Sequence, residues 1–391
     1  MKIAFLGSAR YSNPLEPTAE KKFRLLCELG ELYVIGFSDG LRPRLFSQYA
    51  HFYALPLLPF APLRYLEFFF AGWLLTLWLI FKQNCQIIIT QSPYDGVPAA
   101  CAKIVAGCFG KRVVLTVESH GDFENDLFGQ RRIWGADAVR WLMRRVAGFT
   151  LNHADALRAI SQTTRQQLAA WRPDCVIDQF IAWTDIDAFL QASSVALKSA
   201  IPVLLYTGVL IPRKGVMHLI NAFVSLAKEF PQARLIIIGR EDSLEYTQQL
   251  KDRVENLNLQ SHIEFLQEMP QQQLAQYMAQ AHVFILPSLS EGLGRVVVEA
   301  MAAGTPVIGS RVGGIPDVIQ DGQTGFLVPP GDETALAEKL RWCLEHPQET
   351  MSMGQQAYRV SQTLFSTDIW LNGYRQVFNT AEACLHGKYE R

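Results

Sequence analysis

Two α/β domains, each a parallel sheet with helices on both faces, are what this chain predicts, and three observations carry the expectation. Its 391 residues exceed what one hydrophobic core comfortably fills. Short apolar, β-rich runs alternate with helix-length segments through the first half. The alternation then restarts, more cleanly, at Ile201. No sequence repeat relates the two series, so two Rossmann-like domains facing a cleft are expected, with residues 1–195 in the first and 196–359 in the second.

In the first series the strands are 2–7, 32–37, 86–90 and 112–117. The second opens with IPVLLYTG (201–208). A helix follows with Val216, Leu219, Ile220, Phe223, Leu226, Ala227 and Phe230 along one stripe. Strands at 233–239, 262–266, 282–287 and 306–310 then alternate with helices near 244–257, near 270–280 and from about 294. Gly304 stands where the last of these helices needs a C-terminal glycine. The join is expected within FLQASSVALKSA (189–200), a run of small and polar residues. A tail helix of about 360–391, with Trp370, Tyr374, Val377 and Phe378, is expected to pack back on the first domain.

Composition narrows the class. Hydrophobic residues make up 49% and charged residues 19%, which excludes a disordered chain. A net charge of -1 supplies no global field for nucleic acid or anionic membrane, so any phosphate site must be local. Seven cysteines without CxxC spacing point to reduced thiols in a cytoplasmic setting, rather than a disulfide framework or a zinc site. The N-terminus reads as a first strand, not a signal peptide. Phe68 to Phe81 is the most hydrophobic segment. As a 14-residue helix it would span roughly 21 Å, short of the ~30 Å of a bilayer core.

The most informative stretch is ILPSLSEGLGRVVVEAMAAGTPVIGSRVGGIPDVI, residues 285–319. A buried strand ends at Pro287, and a loop carries Ser288, Ser290 and Glu291. Gly292, Leu293 and Gly294 then lead into a helix that bears Glu299. A glycine loop entering a helix at the carboxyl end of a strand is a ready anion site, because the first turn presents unbonded N–H groups. Carboxylates cannot bind that anion. They suit hydroxyls, Glu291 a sugar and Glu299 a ribose. The bland alternative is a helix-flanking acid and a solvated helix residue, but VVVEAMA around Glu299 leaves few exposed positions.

This stretch resembles the large family of retaining glycosyltransferases with the GT-B fold, of the family 4 type. Its signature sets two glutamates with seven residues between them inside PSxxEGxGxxxxEAMAxGxPV, here Glu291 and Glu299. The resemblance covers about 200–347, including DGQTGFLVPPGD (321–332). It implies a nucleotide-diphosphate sugar bound mainly by the second domain, UDP-linked by preference and GDP-linked as the alternative, with no metal or other cofactor. It further implies retained anomeric configuration and a saccharide or lipid-linked acceptor.

YTGVLIPRKGV (206–216) supplies the cations. Gly208 ends a strand, and Arg213 and Lys214 precede a helix. Beside the glutamate loop they would neutralise a departing diphosphate, each charge pair at about 4 Å being worth around 4 kcal/mol at an effective dielectric near 20. Lys214 aligns with the family's lysine. Val209 occupies the place where the family usually has arginine, so either Arg213 substitutes or donor binding is altered. Gly239, which closes the strand ARLIIIG, completes the expected donor contacts.

In the first domain VVLTVESHGDF (113–123) places His120 just after a strand, matching a family histidine near the reacting sugar. Arg10, Glu118 and Asp122 are the candidates for acceptor contact. ALRAISQTTRQQL (156–168) reads as scaffold. Asp185 and Asp187 have the DxD spacing of metal-dependent transferases but fall near the domain join, and read as a linker feature. Glu291 and Glu299 would lie up to roughly 12 Å apart if the run between them were all helical. That span suits gripping two ends of one nucleotide sugar better than flanking one glycosidic bond.

Leu55 to Phe81 is apolar nearly all round after its prolines. It reads as a buried helix of the first sheet, or as a patch that docks on the inner face of the cell membrane to reach a lipid-linked acceptor. Two rival functions stay open. One is a sugar-nucleotide epimerase of similar two-domain fold; the other, motivated by Val209, is a catalytically weak nucleotide-binding homologue.

Overall fold

A computed structural model describes residues 1–121, 136–195 and 198–387. The chain divides into two compact units, Met1–Trp183 with Trp370–Arg391, and Thr184–Ile369.

In chain order the first unit runs β1 (Lys2–Tyr11), α1 (Pro17–Leu26), β2 (Glu31–Ser38), β3 (Arg44–Ser47), β4 (His51–Leu55), α2 (Ala61–Lys82), β5 (Ile87–Thr90), α3 (Val97–Cys108), β6 (Val114–Ser119), α4 (Ala136–His153), β7 (Ala156–Ala159), α5 (Gln162–Trp171) and β8 (Val176–Gln179). The second runs α6 (Asp187–Val195), β9 (Val203–Thr207), α7 (Val216–Glu229), β10 (Arg234–Ile238), α8 (Leu244–Asn256), β11 (Ile263–Leu266), α9 (Gln271–Gln280), β12 (Val283–Leu286), α10 (Arg295–Ala302), β13 (Val307–Ser310), α11 (Ile315–Val318), β14 (Gly325–Val328), α12 (Glu333–Glu345) and α13 (Pro347–Leu364). A last helix, α14 (Thr367–Leu385), returns to the first unit.

The first sheet has the order β3-β4-β2-β1-β5-β6-β7-β8, parallel except for the β3–β4 pairing. Its inner strands are apolar on both faces because both are covered, as IIIT in β5 shows. One face packs Phe68, Leu79, Ala99, Ala147 and Leu151 of α2, α3 and α4. The other packs Phe23 of α1 with Trp370, Tyr374, Val377 and Phe378 of α14. Ser161 starts α5 by a capping box with Thr164, the scaffold role read from its sequence. The second sheet is wholly parallel, in the order β11-β10-β9-β12-β13-β14.

Three boundaries differ from expectation. The first unit ends at Trp183, not at residue 195, because α6 buries Phe189 and Ala192 as the first helix of the second unit. Return to the first unit begins at Trp370 rather than near 360. All of α13 lies before Trp370, and its Gly354 comes close to the Gly304 carbonyl beyond α10. The third is α2, which has 22 residues and not 14. Pro62 in its first turn starts the helix early, since proline's fixed φ suits that position. By length and composition α2 could cross a membrane, and only 28% of its most apolar window is buried.

Candidate active site

The second sheet reverses its strand order between β9 and β12. Ligand crevices in such sheets open beyond the carboxyl ends of the strands at that reversal. The loops leaving these two strands, 208–215 and 287–294, carry most of the expected donor residues.

Gly208 turns the first loop at φ 155°, a single 3-10 turn covers Pro212–Lys214, and Gly215 at φ 70° enters α7. A Cβ on Gly215 would stand 2.0 Å from the Pro287 carbonyl oxygen, so glycine there lets the two loops touch. The Leu289 N–H donates to the Arg213 carbonyl at 2.8 Å, and Arg213 Nη1 donates to the Ser290 carbonyl at 3.0 Å. Lys214 Nζ lies 2.5 Å from Glu291 Oε2, with both side chains mostly buried, and Ser288 Oγ donates to the same oxygen at 3.2 Å.

This arrangement bears on one expectation without deciding it. Arg213 and Lys214 were to hold a pyrophosphate while both glutamates stayed available for hydroxyls. Instead Lys214 is paired with Glu291 and Arg213 is fastened to the second loop's backbone. Groups so far withdrawn from water must pair, because a lone buried charge is costly. A diphosphate entering here would have to share the ammonium protons of Lys214 with Glu291.

In the second loop Gly294, at φ 76°, caps α10. The Leu293 side chain is 4% exposed, so only its backbone could meet a donor. A third loop, following β13, lies against the second. The Gly314 N–H donates to the Gly292 carbonyl at 2.7 Å, and a Cβ on Gly313 would fall 1.7 Å from the Glu291 carbonyl oxygen. Ser288, Gly215, Gly313 and Gly314 were therefore missed as site-builders, although the glycine doublet after the strand 306–310 was the available signal. Gly239 has a different reason for being glycine. A Cβ there would stand 1.9 Å from the Gly208 carbonyl oxygen, so it admits a neighbouring chain segment.

Glu299 sits in α10, beyond its first turn. Burial pushes its carboxyl up to about 7, against a smaller opposing pull from Arg295. Among the described residues no hydrogen bond reaches this carboxylate. A half-buried carboxylate whose charge is so disfavoured, at the mouth of a crevice, is a candidate functional group. Since α10 begins only at Arg295, the 12 Å estimate for an all-helical run from Glu291 does not apply.

In the first unit His120 follows β6, and its Nε2 lies 2.9 Å from Glu118 Oε2. Glu118 is 1% exposed, which removes it from acceptor contact. Its other oxygen accepts from Tyr374 Oη at 3.0 Å and lies 3.2 Å from Arg158 Nη1. Burial alone would raise this carboxyl; Arg158 and His120 together hold it down to about 2. Glu118 thus orients His120, whose side chain is 42% exposed. The first sheet reverses its order between β1 and β5. A cavity of about 190 Å³ there is lined by Arg10, Ser8, Asp95 and Arg64 among others. Asp95 Oδ2 accepts from Ser8 N and Oγ at 3.3 and 3.2 Å. Asp95 and Arg64 were not anticipated as site residues. Asp122 lies outside the described residues. Asp187 opens α6, and its N–H donates to Asp185 Oδ1 at 3.4 Å, a local turn at the start of the helix.

Two α/β units with parallel sheets, the second carrying a glycine-built cradle at its strand reversal, are the parts of the GT-B fold. Residues 180–360 match the model of the glycosyl transferases group 1, and residues 26–177 match that of glycosyltransferase family 4. The chain belongs to this family, the family 4 type of GT-B glycosyltransferases. It is 31% identical over 248 residues to a GDP-mannose-dependent alpha-(1-6)-phosphatidylinositol monomannoside mannosyltransferase of Mycolicibacterium smegmatis. That alignment covers 58% of this chain and 64% of the relative, under two-thirds of its length. An N-acetyl-alpha-D-glucosaminyl L-malate synthase of Bacillus anthracis is 26% identical over 304 residues, 76% of this chain and 75% of the relative. The Anabaena protein HepE, solved in complex with UDP, superposes with a TM-score of 0.73 at 22% identity, over 98% of this chain and 100% of its own. At that identity the likeness is one of fold.

Proposed function

We propose that this chain is a retaining glycosyltransferase that moves a sugar from a nucleoside diphosphate, UDP by preference, to a saccharide or lipid-linked acceptor without a metal ion. The observation that carries the reading is the pairing of Lys214 with Glu291 at the mouth of α10, with Glu299, whose charge burial disfavours, further along in that helix.

A nucleoside diphosphate leaves well once its developing charge is held. Lys214 and the first-turn amides of α10 supply that charge, already oriented and mostly shielded from water. Glu291, displaced from Lys214 by the phosphates, becomes an acceptor for sugar hydroxyls. Glu299 accepts both hydroxyls of the ribose, which favours its ionised form and offsets the cost of its burial. Arg213 keeps the two loops together. His120 is aimed by Glu118 at the carboxyl end of β6 in the first unit. Solved relatives bound to UDP support a nucleotide donor, and the mannosyltransferase and malate-synthase relatives support acceptors of both the lipid and the small-molecule kind.

Thermal shift with UDP and GDP, followed by incubation with the matching nucleotide sugars and cell extract, tests this reading. A stabilised protein and a new glycoside with the donor's anomeric configuration are expected. Inverted configuration would remove the retaining mechanism, and isomerised sugar from donor alone would favour the epimerase reading.

A further inference from the structure

The outward face of α2 is the largest feature the transfer reading leaves unused. Leu63, Leu66, Phe70, Leu74, Trp78 and Phe81 are 37–59% exposed and recur at spacings of three and four residues. They make one stripe about 27 Å long at 1.5 Å per residue. The stripe does not stop at the helix end. Phe81 meets Phe109, itself 72% exposed beyond α3, edge to face at 5.7 Å. On α4, packed on the same face of the sheet, Trp141 and Leu142 are 60% and 54% exposed. An exposed apolar stripe of this length, continued through Phe109 and with further exposed aromatic surface on a helix of the same layer, marks an interaction site.

Charge names the partner. Lys82, Lys111, Arg140, Arg144 and Arg145 are all exposed on or between these same helices. Against them, among the described residues, stand Asp137 in the first turn of α4 and Glu67 of α2, whose carboxyl burial pushes towards the neutral form. The chain as a whole is nearly neutral, so this excess of cations is local. A broad apolar face with aromatic residues and a cationic margin complements phosphate headgroups over acyl chains.

We propose that the first unit docks on an anionic lipid bilayer through the outward faces of α2 and α4 and the Phe109 corner between them. The helices lie on the bilayer and do not cross it. Phe68, Gly72, Thr76, Leu79 and Ile80 form the opposite stripe of α2 and are buried in the first unit's core. Insertion across a membrane would strip that core from the sheet. The cavity bearing Arg10, Arg64 and Asp95 is lined by the first turns of the same α2, through Arg64, Tyr65 and Phe68. That an acceptor is drawn from the lipid surface rests on the transfer reading; the docking does not.

Sedimentation of the full chain with vesicles tests it, comparing phosphatidylcholine alone with phosphatidylcholine mixed with phosphatidylglycerol. Binding to the mixed vesicles should exceed binding to phosphatidylcholine by at least ~10-fold at low salt. The variant Leu66→Gln/Phe70→Gln/Leu74→Gln should lose at least ~10-fold of that binding while melting at the same temperature and responding equally to UDP. Arg140→Gln/Arg144→Gln/Arg145→Gln should lose about 10²-fold at low salt, with apolar insertion left intact. Failure to bind either vesicle, or helix-face variants that bind like the parent, overturns the proposal. A dimer dissolved by the α2 variant, with vesicles ignored, would assign the face to a second copy and overturn it equally. Vesicle binding by a chain that transfers no sugar would leave docking standing and remove the transfer reading instead.

Discussion

Each unit draws one conspicuous glutamate out of water, Glu118 fully and Glu299 in part, and the two are held in opposite ways. Glu118 in the first unit has Arg158, Tyr374 and His120 around it, and its carboxyl lies at about 2. Glu299 in the second unit has no hydrogen bond to its carboxylate among the described residues, and burial puts it at about 7. The same side chain in the same kind of α/β unit is a fastening in one place and an unfilled demand in the other. Partners decide which, since burial penalises the charge in both cases. A demand left open costs stability until something supplies hydrogen bonds, and a ribose diol is suited to do so.

Removing a partner from the satisfied glutamate gives the largest expected effect. Arg158→Ala leaves the Glu118 charge buried beside Tyr374 and should destabilise the protein by about 3–5 kcal/mol in urea unfolding at neutral pH. A loss below ~1 kcal/mol would mean that the pair adds nothing. Glu118 ionises in the folded state well below the 4.5 of an ordinary glutamate. Its contribution is therefore complete above pH 4.5 and disappears as the pH falls towards 2.

Next comes the charge that meets the donor. Lys214→Ala should lower kcat by at least ~10²-fold, the scale for losing one preorganised electrostatic contact. Near-normal turnover would take Lys214 out of the chemistry.

The open glutamate should behave in the reverse sense. Because the folded carboxyl at about 7 lies above the ordinary 4.5, the folded state holds more protons between those values. Stability falls as pH rises through that window. Glu299→Gln cannot ionise, so the unliganded protein should gain about 1–3 kcal/mol at pH 8 and little at pH 4.5, at the cost of nucleotide affinity. Thermal melts at the two pH values, with calorimetry of UDP binding, check both halves. A variant that binds UDP as tightly as the parent contradicts the ribose assignment.

The smallest effect is the pH profile of donor binding. If the diol is accepted by ionised Glu299, UDP affinity should rise by up to about tenfold per pH unit below pH 7 and flatten above it. In Glu299→Gln that dependence should be lost.

Much of the donor half is legible in the amino-acid sequence. The strand ending at Pro287, the glycines before α10 and the stop at Gly304 lie close together in the chain, where local backbone demands dictate residue type. Pairing at a distance is not legible there. Lys214 and Glu291 are 77 positions apart, and the sequence shows both charges without showing that they neutralise one another. Glu118 reads as an acceptor contact because it adjoins His120; Tyr374, 256 positions away, makes it an anchor. For α2 the pattern is too apolar to reveal a preferred face, so a buried core helix and a surface patch are both open. The fold resolves them into one buried stripe and one exposed stripe of a single helix.

Taken alone, the order of amino acids determined the elements: where strands and helices fall, which loops must be glycine, and which family the glutamate spacing belongs to. Those properties depend on backbone freedom and on neighbours within a few positions. Only the tertiary structure decided which charges are satisfied and which wait, because a carboxylate's state depends on the groups and the water that folding brings around it or takes away. Glu118 and Glu299 cannot be told apart by composition. Arg158, Tyr374 and His120 surround the first, and no hydrogen bond reaches the carboxylate of the second among the described residues.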